Sequence, residues 1–263
     1  MKITNKVIIV TGASGGMGQE IGKQLSKKGC KLALFARREE KLKELCKEFK
    51  SDITDCIYKK CDVSNEKDVK EAIKFTIEKY GRIDIVFLNA GVLIPNPIEN
   101  FDGSIIIKTM KINFFGTVYF LENLLPILKK QDKSHIVITS TLPDKRGVPG
   151  WGAYGASKAA ISWLTESLRW EAKHKYNIRF TTVKPGSVKT PMIEEYERPG
   201  SISVDKAATI IIKGVEKNKR IIQFPFMQVM STRIADLFPA SLYDMLDLEQ
   251  MKGEGFPEVE EKK

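Results

Sequence analysis

A tyrosine and a lysine one helical turn apart form the pair of side chains in this sequence best suited to moving a proton. Tyr154 and Lys158 belong to the stretch YGASK, and their spacing places both on one face of a helix. A free phenol has a pKa of about 10, and a neighbouring ammonium group lowers that pKa toward neutrality. The chain has 7 tyrosines and many lysines, so such a pair also arises by chance. Whether the pair indicates a catalytic function therefore depends on its position along the chain.

Other polar residues occur where elements begin, end or distort. Ser140 and Thr141 stand at the end of a strand predicted over residues 135–140, and adjacent strand residues point to opposite sides, so one of the two is expected to face a ligand. Asn113 falls inside a long helical pattern over residues 104–128, where its amide competes for backbone hydrogen bonds. That pattern predicts either a functional distortion of the helix or a surface polar residue.

A glycine-rich stretch near the start of the chain predicts a site for a phosphate-bearing ligand. Residues 7–18 read VIIVTGASGGMG, which is a buried strand, a tight turn and the start of a helix. Glycines permit a positive φ and a close approach of the backbone to a pyrophosphate, and the helix N-terminus attracts the anion. The spacing of Gly12, Gly16 and Gly18 differs from the commonest dinucleotide fingerprint, so a plain connecting loop is the alternative.

The end of the second predicted strand, over residues 31–36, bears on which dinucleotide would bind. It lies roughly 20 residues after the glycine turn, where an NAD site carries an acid for the ribose 2′-hydroxyl. Arg37 and Arg38 stand there, and a guanidinium binds a 2′-phosphate through two charge-assisted hydrogen bonds. We therefore predict NADP(H), bound mainly by Arg37 with Arg38 as helper. NAD(H) is the alternative if Glu39 or Glu40 supplies the acid.

Strands that alternate with helices along the chain predict an α/β fold with a parallel sheet covered by helices on both faces. Right-handed crossovers would place a ligand beyond the carboxyl ends of the strands. Ser64 is the predicted N-cap of the third helix, and residues 189–203 have the composition of a mobile flap. An apolar extension follows over residues 225–250. The further strands are expected near residues 53–58, 83–88, 178–183 and 220–224.

Composition restricts the classes of partner. The 263 residues carry a formal net charge of +10, but the basic residues are interleaved with acids, so no nucleic-acid partner is expected. The first apolar run is too short for a signal peptide or a membrane span, which predicts a cytoplasmic protein. No cysteine pair has zinc-site spacing, so neither a metal site nor a disulfide framework is expected. The four cysteines, predicted as free thiols, are Cys30, Cys46, Cys56 and Cys61.

These motifs together resemble the short-chain dehydrogenase/reductase superfamily. The resemblance covers about residues 6–224, and the motifs follow the order of that family, with TGASGGMG at 11–18, NAG at 89–91 and PG at 185–186. It implies a single Rossmann-type domain over residues 1–263, a doubly wound parallel sheet with helices on both faces. It also implies an oxidoreductase that transfers a hydride between a nicotinamide and a carbonyl or secondary alcohol.

The resemblance implies a role for each polar residue. Tyr154 would exchange a proton with the substrate oxygen, Lys158 would lower the pKa of that phenol and bind the nicotinamide ribose, and Asn113 would hold a water. The hydroxyl that polarises the carbonyl falls on Thr141 by spacing, with Ser140 as the alternative. The implied cofactor-binding residues are Gly12, Ser14, Gly16, Met17, Gly18, Arg37, Arg38, Asp62, Val63, Asn89, Ala90, Gly91, Asn113, Tyr154, Lys158, Pro185, Gly186, Val188 and Thr190.

Partners and rival functions are also open to prediction. The expected substrate is an apolar carbonyl compound, and the resemblance implies a homodimer or homotetramer paired through helices 104–128 and 152–174. One alternative is an NADP(H)-binding protein with a scaffolding or redox-sensing role. The other is a peripheral membrane protein that uses the apolar C-terminal stretch. The expected walls of the substrate pocket are Leu142, Val148, Trp151, Met192, Tyr196 and either Phe226 or Met230.

Overall fold

Short runs of buried aliphatic residues build a central parallel sheet. The structure is a computed structural model that describes residues 2–192, 200–239 and 241. The strands are β1 (Val7–Thr11), β2 (Lys31–Ala36), β3 (Cys56–Lys60), β4 (Ile85–Leu88), β5 (Ser134–Thr139), β6 (Ile178–Pro185), β7 (Val188–Lys189), β8 (Ile202–Ser203) and β9 (Ile221–Phe224). Seven of them form one parallel sheet in the order β3-β2-β1-β4-β5-β6-β9.

Helices cover both faces of this sheet. In β1, Ile8 and Val10 belong to one buried cluster with Ile21, whereas Ile9 belongs to another with Leu124. Alternate residues of the strand therefore pack on opposite layers, and the predicted doubly wound α/β fold is confirmed. The helices are α1 (Gly16–Ser26), α2 (Glu39–Phe49), α3 (Glu66–Tyr80), α4 (Gly103–Met110), α5 (Gly116–Leu128), α6 (Gly152–Tyr176), α7 (Val204–Glu216) and α8 (Phe226–Leu237).

The long helical pattern predicted over residues 104–128 is interrupted in its middle. A π-helical turn, Lys111–Phe115, separates α4 from α5 and contains Asn113. The wider turn aims side chains differently from a regular α-helix, and such turns often occur at functional sites. Of the two interpretations of Asn113, a helix distortion and a surface polar residue, the distortion is confirmed, since Asn113 is buried.

Two local predictions are wrong. The third strand runs over Cys56–Lys60 and not over residues 53–58, because Ser51 and Thr54 pair with each other in a tight turn just before it. The N-cap of α3 is Asn65, whose side chain accepts from two backbone N–H groups of the first turn. Ser64 instead donates its hydroxyl to Asp62 at 2.7 Å, so it is not free to cap the helix.

The prediction of four free thiols is also wrong. Cys46 of α2 and Cys56 of β3 form a disulfide, with their Cα atoms 5.4 Å apart. The two residues meet because α2 packs against the edge strand β3, which sequence spacing does not reveal. Cys30 and Cys61 are free and buried, and burial raises the pKa of each thiol to about 12.

The predicted flap and C-terminal extension are described in part. The strands β7 and β8 pair with each other at the base of the flap, and residues 193–199, which include Tyr196, lie outside the described residues. In the extension, α8 follows Pro225, and residues 240 and 242–263 are likewise outside the description. Among the helices that are described, none has the length and apolar character needed to cross a membrane.

Candidate active site

The glycine turn lies where β1 passes into α1. Gly12 and Gly16 adopt positive φ values of +65° and +53°, which other residues rarely adopt. A side chain at Gly18 would overlap the carbonyl oxygen of Gly12 and lie 2.8 Å from Nδ2 of Asn89. One added at Gly12 would lie 3.0 Å from Cα of Ala90. The turn and the NAG segment after β4 are therefore packed backbone to backbone at the carboxyl edge of the sheet.

Two threonines that sequence reasoning did not assign to the site hold this edge together. The hydroxyl of Thr11 accepts from the backbone N–H groups of Asn89 at 2.9 Å and Ala90 at 3.1 Å. Thr139 donates its hydroxyl to Oδ1 of Asn89 at 3.3 Å. Both threonines are the last residues of their strands, and a hydroxyl at the carboxyl end of a buried strand is the signal that could have found them.

The two arginines after β2 differ in their contacts. Arg38 donates from Nε to the hydroxyl of Ser14 at 3.1 Å and from Nη2 to the backbone oxygen of Ser14 at 2.8 Å. Its Nη2 also lies 2.7 Å from the position of a Cβ added at Gly15. Both arginines are exposed at the end of the strand, and among the described contacts only those of Arg38 reach the glycine turn. The structure thus places Arg38 against the glycine turn, and the role of Arg37 as main contact to a 2′-phosphate stays a prediction.

The strand beside β2 brings a carboxylate to the same edge. Asp62 follows β3, whose last residue, Lys60, pairs with Ala36 at the end of β2. Its Oδ1 accepts from the backbone N–H and the hydroxyl of Ser64 at 2.9 and 2.7 Å. Val63 is buried against Gly116 of α5, where a Cβ would lie 2.9 Å from the valine methyl group. Asp62 and Val63 are thereby fixed beside the predicted adenosine end.

The segment after β6 closes the edge from the other side. The backbone oxygen of Pro185 accepts from the N–H of Leu142 at 3.0 Å, and Gly186 donates to the carbonyl of Phe224 at 2.7 Å. A Cβ at Gly16 would lie 3.5 Å from the methyl group of Thr190, so Thr190 stands over the glycine turn. The side chains of two predicted cofactor residues pack in the hydrophobic core, since Val188 is buried in one cluster and Met17 packs against it.

Lys158 lies buried near the Tyr154 ring. Lys158 is only 3% exposed, and its Nζ donates a hydrogen bond to the backbone oxygen of Thr139 at 2.8 Å. The ammonium nitrogen is 5.8 Å from the centroid of the Tyr154 ring. Burial lowers the pKa of Lys158 to about 8, because a charged amine loses its hydration there.

Burial acts on Tyr154 in the direction that opposes ionisation. It raises the pKa of the phenol, and a hydrogen bond with the side chain of Thr141 lowers it in part. Desolvation is the largest of these effects, and the lowering of this pKa by Lys158 stays a prediction. The ring of Trp151 meets that of Tyr154 edge to face, with centroids 6.4 Å apart, and so shields one side of the phenol.

Ser140 and Thr141 have different surroundings. The hydroxyl of Ser140 donates to the backbone oxygen of Lys158 at 2.9 Å and lies 2.8 Å from the hydroxyl of Ser162. Ser140 is fully buried in these contacts. The side chain of Thr141 lies near enough to the Tyr154 hydroxyl to lower its pKa. Of the two candidates for polarising a substrate carbonyl, Thr141 lies near the phenol, whereas the Ser140 hydroxyl points toward α6.

The side chain of Asn113 joins the π-helical turn to the segment after β4. Its Oδ1 accepts from the N–H of Val92 at 2.8 Å, and its Nδ2 donates to the oxygen of Val92 at 3.0 Å and to the hydroxyl of Ser157 at 2.9 Å. A Cβ at Gly91 would lie 3.2 Å from Oδ1 of Asn113 and 3.3 Å from Nζ of Lys158. Only a glycine leaves the space between these two side chains open.

The predicted acid–base residues and the glycine turn thus lie at one edge of the sheet. The phenol, the ammonium group and the Thr141 hydroxyl lie beyond β5, and the glycine turn with Arg38 lies beyond β1 and β2. This is the edge at which doubly wound sheets bind nucleotides. The fold and the position of the glycine turn are those of the dinucleotide-binding class of doubly wound proteins.

Comparison with known proteins identifies the family. A family model described as short chain dehydrogenase matches residues 6–199. An uncharacterised oxidoreductase of Listeria monocytogenes is 37% identical over 195 residues, which are 74% of this chain and 79% of that protein. The chain therefore belongs to the short-chain dehydrogenase family, and the predicted class, an oxidoreductase of this family, is confirmed.

Solved structures agree with the fold. An alcohol dehydrogenase of the archaeon Thermococcus sibiricus, complexed with 5-hydroxy-NADP, is 26% identical, with a TM-score of 0.75 over 83% of this chain and 94% of that one. A short-chain dehydrogenase of Burkholderia phymatum in complex with NAD has a TM-score of 0.83 over 98% of this chain and 99% of that one. Its identity of 20% supports the fold alone.

Proposed function

We propose that this protein is an NADP(H)-dependent oxidoreductase that interconverts a carbonyl compound and a secondary alcohol, with Tyr154 as the general acid and base. The observation that carries the proposal is the convergence of three groups. The side chain of Thr141 lowers the pKa of the nearby Tyr154 phenol, and Nζ of Lys158 lies 5.8 Å from the centroid of the phenol ring. All three stand at the edge of the sheet that holds the glycine turn.

The residues present fit a dinucleotide. Added side chains at Gly12, Gly18 and Gly91 would collide with or press on their neighbours, so a smooth backbone cradle runs along this edge. A bound nicotinamide dinucleotide would supply or accept the hydride. Lys158 would hold its ribose, and the backbone of the glycine turn at the start of α1 would hold its pyrophosphate.

Each side chain has a part in the proton chemistry. Tyr154 would donate its phenolic proton to the carbonyl oxygen of the substrate as that oxygen gains negative charge. The Thr141 hydroxyl would donate a second hydrogen bond to the same oxygen. The ammonium of Lys158 would stabilise the resulting phenolate, which burial otherwise disfavours. Asn113 would keep Lys158 in place through Val92 and Ser157.

The preference for NADP(H) over NAD(H) is supported by Arg38. Its guanidinium already lies on the glycine turn through Ser14, beside the end of β2 where an adenosine ribose would lie. A guanidinium there can pair with a 2′-phosphate, and among the described residues no carboxylate forms a hydrogen bond or ion pair with Arg38. The archaeal alcohol dehydrogenase of similar fold was solved with an NADP derivative, which agrees with this proposal.

An apolar substrate is supported by the walls nearest the phenol. Leu142 is buried beside Gly186, and the Trp151 ring packs on Tyr154. A cleft with these walls favours ketones and aldehydes with hydrophobic or aromatic substituents over small polar ones. Within a homologous ketone series, kcat/KM should rise as methylene groups are added, since each buried methylene contributes about 0.8 kcal/mol.

Replacement of the phenol tests the proposed function. Tyr154→Phe removes the proton donor and keeps the ring, so NADPH oxidation with a ketone panel should fall by about 10²–10⁴-fold. NADPH binding, followed by fluorescence titration, should stay near the wild-type value. Equal turnover by Tyr154→Phe and the wild type would refute the acid–base role. A wild type that binds NADPH but reduces no member of the panel would favour the scaffolding or redox-sensing alternative.

A homodimer is also proposed, paired through α5 and α6. Trp163 and Trp170 project from α6 with 79% and 66% of their surface exposed, and Phe115 is exposed just before α5. Isolated exposed apolar residues are ordinary, but several large ones on neighbouring helices are typical of an interface.

A further inference from the structure

A buried chain of hydrogen bonds runs from β6 to the backbone of Lys158. Nζ of Lys184 pairs with Oδ2 of Asp144 at 2.5 Å, and the hydroxyl of Ser162 donates to the same carboxylate oxygen. The hydroxyls of Ser162 and Ser140 are 2.8 Å apart, and Ser140 donates to the backbone oxygen of Lys158 at 2.9 Å. The ion pair is shielded from water, with side-chain exposures of 15% for Lys184 and 5% for Asp144.

Because each serine hydroxyl has one proton, the direction of donation along this series of hydrogen bonds is determined. A serine hydroxyl has one proton, and that of Ser162 goes to the Asp144 carboxylate, which only accepts while ionised. Ser140 then has one proton for two acceptors, the oxygen of Lys158 and the oxygen of Ser162. Ser140 has no hydroxyl proton left for a substrate. Its hydroxyl instead bonds to groups of α6 inside the protein.

Three consecutive residues hold the Tyr154 and Lys158 pair. The backbone oxygen of Thr139 accepts from Nζ of Lys158 at 2.8 Å, Ser140 donates to the backbone oxygen of the same lysine, and Thr141 bonds to the Tyr154 hydroxyl. Lys158 is therefore fixed at both its ends. Of these three residues, Ser140 is the one tied to a buried ion pair.

We propose that Asp144, Lys184 and Ser162 are positioning residues that act through Ser140 to set the place of Lys158 relative to Tyr154. The idea rests on the proposed acid–base function. Asp144 belongs to the irregular segment between β5 and α6, whereas Lys184 lies on β6. Their ion pair ties that segment to the sheet, and Ser162 connects it to α6. Groups held this way keep the geometry that proton transfer requires.

The test compares Ser162→Ala with Ser162→Thr and Thr165→Val. Ser162→Ala interrupts the hydrogen-bond network without leaving a charge unpaired, and Ser162→Thr restores the hydroxyl. Thr165 is the matched control, because its buried hydroxyl bonds only to the backbone of α6 at Ile161 among the contacts described. We expect kcat of Ser162→Ala to fall about tenfold with KM for NADPH and ketone unchanged. Ser162→Thr and Thr165→Val should keep wild-type kcat.

The pH profile separates positioning from loss of fold. A less well placed ammonium stabilises the phenolate less, so the pH dependence of alcohol oxidation by Ser162→Ala should move to higher pH. The double variant Asp144→Leu/Lys184→Met removes both buried charges together and avoids an unpaired one. It should show the same fall in kcat and the same displacement of the profile while remaining folded. Wild-type kcat and an unmoved profile in Ser162→Ala and the double variant would overturn the proposal.

A readout without turnover distinguishes this proposal from the proposed function. Acetylation of Lys158 by acetic anhydride, measured against pH by mass spectrometry, reports the pKa of its amine. That pKa is about 8 in the wild type and should rise toward the ordinary 10.5 in Ser162→Ala, because a loosened side chain gains water. If the wild type reduces no carbonyl but this displacement occurs, the function fails and the positioning network stands. An unmoved pKa would count against the network.

Discussion

The amine of Lys158 donates to the carbonyl oxygen of Thr139 and is almost sealed from water. In this setting burial lowers the pKa of the amine to about 8, and the same burial raises the pKa of the Tyr154 phenol. The two pKa values, which ordinarily lie close together, are thereby moved apart, and burial favours the neutral form of each group. A proton can then leave the phenol for a substrate oxygen without an ionised phenol having to exist beforehand.

Lys158 should make stability depend on pH. Its pKa is about 8 when folded against 10.5 ordinarily, so the unfolded chain binds more protons in that range and wild-type stability rises with pH there. As pH falls through 8 this contribution is lost. Lys158→Met should therefore be more stable than the wild type by about 3 kcal/mol at pH 7, and the gain should vanish above pH 10.5. Urea unfolding of both proteins without cofactor measures it, and a gain independent of pH would contradict the argument.

Arg38 should carry the preference between the two dinucleotides. Arg38→Ala removes the guanidinium that lies on Ser14, and hydrogen bonds to a charged group contribute about 1.5–3 kcal/mol. NADPH affinity should drop by about tenfold or more, while NADH affinity changes little. Arg37→Ala is the matched control and should have the smaller effect. Fluorescence titration of each variant with NADPH and with NADH gives the dissociation constants to compare with those of the wild type. An equal loss of affinity for both coenzymes in Arg38→Ala would refute the 2′-phosphate role.

Elements of the fold position residues that are distant in sequence. The π-helical turn directs Asn113 to Val92 and Ser157, and the end of β5 directs Thr141 to Tyr154. The composition of residues 104–128 predicts a helix with a weak point at Asn113, and this much was accessible from sequence. Which residue the amide reaches was not, because that depends on how α4, α5 and α6 pack against the sheet and one another.

The contact between α2 and β3 leads to a prediction on thiols. Cys46 and Cys56 pair across it, so the denatured, unreduced protein should react as two free thiols, from Cys30 and Cys61. Reduction should lower the free energy of unfolding by roughly 2–3 kcal/mol, because a short loop is released in the unfolded chain. Cys46→Ser/Cys56→Ser should lose this response. Four reactive thiols before reduction would show that the pair is not formed, as is usual in a reducing compartment.

At the scale of the whole molecule, the exposed tryptophans of α6 suggest how copies of the chain associate. Trp163→Glu would place a charge in the proposed α5 and α6 interface and should shift the protein from dimer to monomer, as seen by light scattering after size exclusion. Ile53→Glu, at an exposed apolar position outside these helices, is the control and should leave the dimer intact. A wild type that is monomeric at micromolar concentration would refute the interface.

The sequence by itself determined the parallel α/β fold, the family, and the residue types at the carboxyl edge of the sheet. Alternating apolar strands, glycine turns and helices are local patterns, and local propensity with burial is sufficient to form them. Tertiary structure alone decided that Arg38 rather than Arg37 lies on the glycine turn, that Thr141 rather than Ser140 meets the phenol, and that Cys46 meets Cys56. The two members of each adjacent pair, Arg37 with Arg38 and Ser140 with Thr141, offer similar chemistry in the sequence. Only packing against another element gives one of them a partner.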